Sequence, residues 1–348
     1  MYRRVFLSSF RETVEKSGKV VYNTFTNIRE VGMGKMRLVR EAAGTTEGFC
    51  LVKSCAARTD VKGSEYLDLV LADSEGECVA KLWNYSRVYH GTFEPNDIVK
   101  VRGSVQVWKD NDQFKIDRIR LATPEDDVDM SLIVPCAPIN PQDAYDELYA
   151  LAQNYKDDDL RRLVQYILRE NRDALLVYPA GMKLHHATRG GLLHHTLSVV
   201  RMAQKIAELY PWLNRDLLLA GATLHDIGKL TELDAGALGL AGAYTAAGQL
   251  LGHISIGMSL VAQAAEVTMV PPETAMLVEH MLLSHHGNPE YGSPRLPMIP
   301  EAEVLSVCDL LDSRLFEMRS ALDGVAPGGF SERIWALDNR QLYQPIQS

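Results

Sequence analysis

Near residue 122 the hydrophobic period of this chain changes, and that change divides it into two differently built regions. Upstream, the stretches EGFCLVKSCAAR, SEYLDLVLADSEGECVAKLW, NDIVKVRGSVQVW and QFKIDRIRLA are short and rich in β-branched and aromatic residues. Turn sequences at Asp73-Ser74-Glu75-Gly76 and Lys109-Asp110-Asn111-Asp112 punctuate them. This is strand grammar. Downstream of the acidic, proline-containing ATPEDDVDMSLIVPCAPINP the pattern turns helical, from PQDAYDELYALAQNY through GGLLHHTLSVVRMAQKIAELY to PEAEVLSVCDLLDSRLFEMRSAL. Asn140-Pro141 supplies the cap and first-turn pair expected where the helices begin.

About five strands in roughly 75 residues predict a small Greek-key barrel of the OB type, with Gly103 at a bulge or sharp bend. The expected organisation is a basic arm over residues 1–37, the barrel over 38–122, a linker over 123–140, an all-α domain over 141–325 and a tail over 326–348. Barrels of this kind commonly hold unpaired bases on aromatic side chains. Tyr66, Trp83 and Trp108 are candidate platforms and Lys81 a candidate phosphate contact, the competing reading being that such residues fill the barrel core. Nine Lys/Arg against three Asp/Glu in residues 1–40 leave −15 for the remainder of a chain whose net charge is −9. A basic arm invites a nucleic-acid reading, but a solvated tail, or residues upstream of the natural start, is the favoured one; Met33 or Met36 is a sensible start for the folded part.

Composition, 46% hydrophobic and 23% charged, is that of an ordinary globular protein. No apolar stretch reads as approaching the ~20 residues of a bilayer span, and the opening MYRRVFLSSFRETVEK lacks a signal-peptide apolar block. The expectation is a cytoplasmic protein without a membrane partner, its oligomeric state open to a homo-oligomer. Cys50, Cys55, Cys78, Cys136 and Cys308 form no C-x-x-C pair and predict reduced thiols, not a disulfide framework or zinc ribbon.

Histidine is concentrated: of the ten, only His90 lies outside residues 185 to 286. Helical spacing places His195 on a face with Val199, Met202 and Ile206, and therefore inward, and His194 with Ser198, Arg201 and Lys205, outward. By the same test His225 lies over Leu218, Gly221 and Ala222, His253 beside Leu250, Ile256 and Leu260, and Asp309 in line with Leu305 and Phe316. An interior cluster of imidazoles and carboxylates calls for a divalent cation. Mixed nitrogen and oxygen donors suit Mn²⁺, Fe²⁺, Co²⁺ or Zn²⁺ better than Mg²⁺ or Ca²⁺. The stretch LLLAGATLHDIGKLTEL then makes sense as an apolar helix that ends by delivering His225 and Asp226 to a buried ion site.

The order and spacing of His195, His225-Asp226 and Asp309 resemble the H…HD…D signature of the HD-domain phosphohydrolases, an α-helical metal-dependent superfamily. The blocks HHATRGGLLHHTLSVV, LAGATLHDIGKLTEL, YTAAGQLLGHISIG, LLSHHGNPEYGSP and EAEVLSVCDLLDS, with the barrel blocks KGSEYLDLVLADSEGECVAKLWN and VKVRGSVQV, resemble the YhaM-type 3′→5′ exoribonucleases, which join an OB domain to an HD domain. The resemblance spans roughly residues 38–320. It implies a core ion held by His195, His225, Asp226 and Asp309, with Asp226 bridging to a second ion completed by His253, His285 and His286. One or two ions are implied, Mn²⁺ first. Asp312 is the rival of Asp309, which the motif's position favours. The resemblance also implies Asp226 and Lys229 as catalytic residues, Lys229 as a phosphate partner, and His186 as a contact to the nucleic acid. The implied activity is hydrolysis of single-stranded RNA, or also single-stranded DNA, to nucleoside 5′-monophosphates. Departures fall at Thr188, where the family block reads HHAY, and at His194, often acidic in relatives. The alternatives are a nucleotide or cyclic-nucleotide phosphohydrolase and a non-enzymatic single-strand-binding module.

Overall fold

The computed structural model describes residues 34–41, 44–108, 111–182, 186–236 and 238–346. Most of the basic arm, the Lys109-Asp110 half of one turn and His185 lie outside the described residues. Strands β1 (Thr45–Thr59), β2 (Glu65–Ala72), β3 (Gly76–Leu82), β4 (Ile98–Trp108) and β5 (Asn111–Leu121) close a barrel. β1 runs antiparallel to both β2 and β4, β3 pairs with β2, and β5 pairs with β4. A parallel β3–β5 pairing, Val79 opposite Gln113 through Lys81 opposite Lys115, completes the ring. This is the Greek-key OB arrangement.

Period-two alternation decides which side chains fill it: Leu67, Leu69 and Leu71 from β2, Cys78, Ala80 and Leu82 from β3, Val99 and Val101 from β4, and Phe114 from β5 are buried. Asp73 turns β2 into β3 by accepting hydrogen bonds on one oxygen from the backbone N–H groups of Glu75 and Gly76. The β4–β5 register shifts at Gly103, where a Cβ would lie 2.1 Å from the Lys115 carbonyl oxygen and 2.9 Å from the Phe114 ring. Only glycine permits that approach.

The expected boundaries shift in three places. Gly34–Lys35 runs parallel to Gly76–Glu77, and Met36 is fully buried in the barrel core, so the barrel begins inside the segment expected to be an arm. The segment expected as a linker is packed: Ile133 and Val134 form a buried cluster with Leu51 and Ala72 of the barrel, against which Leu238 and Leu240 pack. Arg189 gives its N–H to Pro135 and accepts from Ala137, which ties this segment to the loop that leads into the histidine region. Within the tail, Leu337 is fully buried, Phe330 and Ile334 bridge to Tyr343 and Arg340, and Asp338 pairs with Arg314.

The helical region includes α1 (Pro141–Gln153), α2 (Asp158–Glu170), α3 (Gly191–Leu209), α4 (Arg215–Leu224), the one-turn α5 (Lys229–Glu232), α6 (Ala246–Thr268), α7 (Pro272–Ser284) and α8 (Pro300–Leu322), with a further single turn at Arg172–Leu175 after α2. Side chains cap α1, α2, α4 and α6 at Asn140, Asp157, Asn214 and Thr245. Leu163, Leu193, Leu218, Leu219 and Leu305 are among the fully buried residues of one continuous core. One helix contradicts the expectation of no long apolar stretch: α6, at 23 residues, reaches the length and hydropathy of a bilayer span. Gly252, at φ 70° and ψ 158°, breaks it, and Ile256, Gly257, Val261, Ala264 and Ala265 are buried in the bundle.

Replacing Gly103 with alanine is expected to destabilise the protein by about 1–3 kcal/mol, the usual cost of forcing atoms into a filled site. Urea unfolding followed by circular dichroism measures it; an unchanged midpoint would show that β5 can retreat from the bulge.

Candidate metal centre

α4 is apolar or small and buried from Leu217 to its end at Leu224, so the residues that follow emerge inside the core. His225 still donates its backbone N–H to Gly221, and its ring Nδ1 donates to the Ala222 carbonyl at 2.9 Å. A carbonyl can only accept, so Nδ1 carries the proton and Nε2 presents a lone pair. His285, just past the end of α7, repeats the device, donating from Nδ1 to the Leu282 carbonyl at 2.7 Å. Two further rings are held from the same side by carboxylates. His195 Nδ1 lies 2.8 Å from Asp312 Oδ2, and His253 Nδ1 lies 3.2 Å from Glu232 Oε1. All four rings therefore turn Nε2 toward one place.

That place is Asp226. Its Oδ2 is 3.5 Å from the Nε2 atoms of both His195 and His225, which are 3.2 Å from each other. Its Oδ1 faces His253 Nε2 at 3.6 Å and His285 Nε2 at 3.8 Å. Asp309 Oδ1 reaches His195 Nε2 at 3.1 Å and His225 Nε2 at 3.9 Å. Donor atoms of His195, His225 and Asp226 form one ion-sized group and those of His253, His285 and His286 another. Asp226 Oδ1, His253 Nε2 and His285 Nε2 are buried without a hydrogen-bond partner. Buried polar atoms are normally satisfied, and three orphaned acceptors facing one another fit a cation.

The electrostatics agree. Burial opposes the charge of His195, but hydrogen bonds to Asp309 and Asp312 outweigh it and raise the imidazole to about 9. Burial, then the neighbouring His286 and His225, keeps His285 well below its ordinary range, in the neutral form a metal ligand needs. Asp226 is fully enclosed, yet Lys229 and His225 hold it well below the usual carboxylate range. The Lys229 ammonium, 2.7 Å from Asp226 Oδ2, stays charged against its own burial because of that carboxylate.

The predicted ligands His195, His225, Asp226, His253, His285, His286 and Asp309 thus meet in one pocket, and Lys229 enters it. Asp309 takes the ligand side of His195 and Asp312 the outer side. His253 arrives by another geometry than the spacing assumed: the Gly252 break leaves Leu250 83% exposed, off the face of Ile256. Gly228, whose Cβ would fall 2.0 Å from the His253 carbonyl oxygen, lets α6 come that close. Two expectations need correction. His186, assigned to substrate contact, is 2% exposed and bonds through Nε2 to Asp312 at 2.9 Å, with its ring 4.1 Å from Phe316. His194, assigned to the solvent face, is half-buried with its ring 4.7 Å from His186, and burial lowers it to about 4. The loop before α3 covers a face that helical spacing alone leaves open. Glu232 went unseen in the sequence, because its partner is 21 residues away with the helix interruption at Gly252 between them.

On the barrel, Tyr66 and Trp83 pair at 4.8 Å on the outer face, with Lys81 Nζ over both rings. Trp108 is 63% exposed. Lys115, opposite Lys81 across the closing pair, adds a cation that the sequence reading did not single out. Phe114, also aromatic, faces the barrel core instead.

An HD-domain family model matches residues 192–314, the span that holds every residue of the pocket. The 3′-5′ exoribonuclease YhaM of Listeria innocua is 40% identical over 313 residues, covering 90% of this chain and 99% of that protein. The 3′-5′ exoribonuclease YhaM of Bacillus subtilis is 36% identical over 313 residues, with the same 90% and 99% coverage.

Folding of the ion-free chain raises His195 from 6.5 to about 9, so the folded state holds a proton that the unfolded chain releases. The resulting stabilisation is fully present below pH 6.5 and is lost as pH rises through 9. Urea unfolding in chelator at steps across this window should show wild-type stability falling more steeply than that of His195→Gln. Parallel curves would mean that His195 is not charged in the empty pocket.

Proposed function

The chain belongs to the YhaM family of 3′-5′ exoribonucleases, and from that membership and the pocket around Asp226 we infer that it is a metal-dependent 3′→5′ exoribonuclease. The observation that carries this reading is the convergence of four Nε2 lone pairs on Asp226 and Asp309, with three of the buried acceptors unpartnered. His195, His225, Asp226 and Asp309 would hold one divalent ion, and Asp226, His253, His285 and His286 a second. Mn²⁺ is the first choice, with Co²⁺, Fe²⁺ and Zn²⁺ as competitors for the same mixed donors. Such ions supply the charge that acidifies a water nucleophile and neutralises the scissile phosphate.

The chain's own groups do the rest. Asp226 is the carboxylate common to both halves. Lys229 keeps two further N–H donors beyond its bond to Asp226, which suits it to a phosphate oxygen at the edge of the site. The Tyr66–Trp83 pair and Trp108 would stack unpaired bases while Lys81 and Lys115 follow the phosphates. The substrate is then single-stranded RNA with a free 3′ end, and single-stranded DNA is the competing substrate. The product is a nucleoside 5′-monophosphate. Free thiols at Cys50, Cys55, Cys78, Cys136 and Cys308 support a reducing, cytoplasmic setting.

EDTA is expected to abolish hydrolysis of 5′-labelled RNA and Mn²⁺ to restore a ladder that shortens from the 3′ end, with a 3′-phosphate blocking it. His225→Ala and Asp226→Ala should fall to background while still binding RNA. Full activity in chelator, or early release of the 5′-label as mononucleotide, would overturn the reading. Tyr66→Ala or Trp83→Ala should weaken RNA binding about 5–150-fold, the equivalent of ~1–3 kcal/mol of stacking. Cleavage of a chromogenic phosphodiester should persist in both, and unchanged RNA affinity would remove the barrel face from substrate binding.

A further inference from the structure

Each half of the pocket contains one histidine backed by a backbone carbonyl and one backed by a carboxylate. His225 and His285 lean on Ala222 and Leu282, whereas His195 leans on Asp312 and His253 on Glu232. Neither carboxylate points into the ion site. Asp312 stands one turn beyond Asp309 on α8, so a single helix addresses both nitrogens of His195: Asp309 at Nε2, Asp312 at Nδ1. His186 fixes Asp312 from behind by a second hydrogen bond to the same oxygen, and Phe316 lies against His186. Glu232 Oε1 faces the ring Nδ1 of His253 and also accepts its backbone N–H at 3.0 Å, where Gly252 has interrupted the helix. Both side chains are largely withdrawn from solvent, Asp312 at 14% and Glu232 at 12% exposure. A carboxylate that is withdrawn from water to meet a histidine Nδ1 has a job there.

We propose that Asp312 and Glu232 are positioning residues, each holding one histidine in the Nδ1–H tautomer and so setting the ion affinity of one half of the centre independently of the other. The proposal rests on the reading of the pocket as a two-ion centre. A carboxylate behind a ligating imidazole fixes the ring and raises the basicity of the far nitrogen, and its loss costs about 10–100-fold in metal affinity. Because Asp312 touches only the His195 side and Glu232 only the His253 side, the two effects separate.

The test titrates Mn²⁺ into the chelator-treated full-length protein, following free Mn²⁺ by electron paramagnetic resonance. Wild type should take up two ions. Asp312→Asn and Asp312→Ala should weaken one uptake step about 10–100-fold, the alanine more than the amide, and Glu232→Gln and Glu232→Ala the other step. In the ion-free protein above pH 9, where His195 is neutral, ¹⁵N spectra should show His195 losing its fixed tautomer in Asp312→Ala alone, and His253 in Glu232→Ala alone. Excess Mn²⁺ should restore kcat on RNA in each variant with KM unchanged. Weakening of both steps alike by either pair, weakening of neither, or outright loss of one ion in Asp312→Asn would overturn the proposal, the last by making Asp312 a ligand. Failure of the wild type to bind Mn²⁺ would remove the metal-centre reading and this proposal together. Two ions in wild type with unaltered variants would remove this proposal alone.

Discussion

Four imidazole rings and two carboxylates face one another in a largely buried pocket, and the rest of the helical region can be understood from that constraint. Without a cation the cluster is electron-rich at its centre: two Nε2 atoms stand 3.2 Å apart and one oxygen of Asp226 has no donor. A proton on His195 and the Lys229 ammonium offset part of that charge. Neither reaches the half formed by His253 and His285, whose Nε2 atoms remain unpartnered. Such an arrangement costs free energy unless something positive completes it, so its presence in the core argues for a bound ion more strongly than any one histidine could.

The fold builds this cluster from helix ends. α4 and α7 each finish in a histidine whose ring is steered by a carbonyl of its own last turn, which needs no partner from elsewhere. α3 and α6 contribute histidines that have no such local anchor and take a carboxylate from α8 or from the end of α5 instead. The packed segment before α1 extends the arrangement toward the barrel. Arg189 bridges to residues 135–137 just ahead of α3, while Ile133 and Val134 bury against Leu51 and Ala72. The Tyr66–Trp83 face of the barrel and the histidine pocket are therefore carried by one compact unit that begins at Gly34.

Much of this was legible in the sequence. The period change near residue 122 separates barrel from bundle, and an apolar helix running into His225-Asp226 points inward whatever the fold around it. The inward placing of His195 and Asp309, which meet in the pocket, follows from helical spacing and the motif. What spacing could not supply is what lies across from a helix. His194 belongs by periodicity to the solvent face of α3, yet the His186 loop covers it; His186 itself looks like a substrate contact in sequence but is an internal brace of Asp312. Glu232 was hidden for a related reason. Its role exists only because Gly252 breaks α6 and Gly228 lets the break approach α5, and a single positive φ is invisible to a periodicity argument.

The central claim is that Asp226 sits between two ions, one in each half of the cluster. Anomalous scattering from a crystal of the Mn²⁺-loaded protein tests it directly. Two manganese peaks about 3.5–4 Å apart should appear, one on each oxygen of Asp226, the spacing common to two-metal hydrolytic sites. A pocket without manganese, or a lone ion seated among His186, His195 and Asp312, would contradict the account.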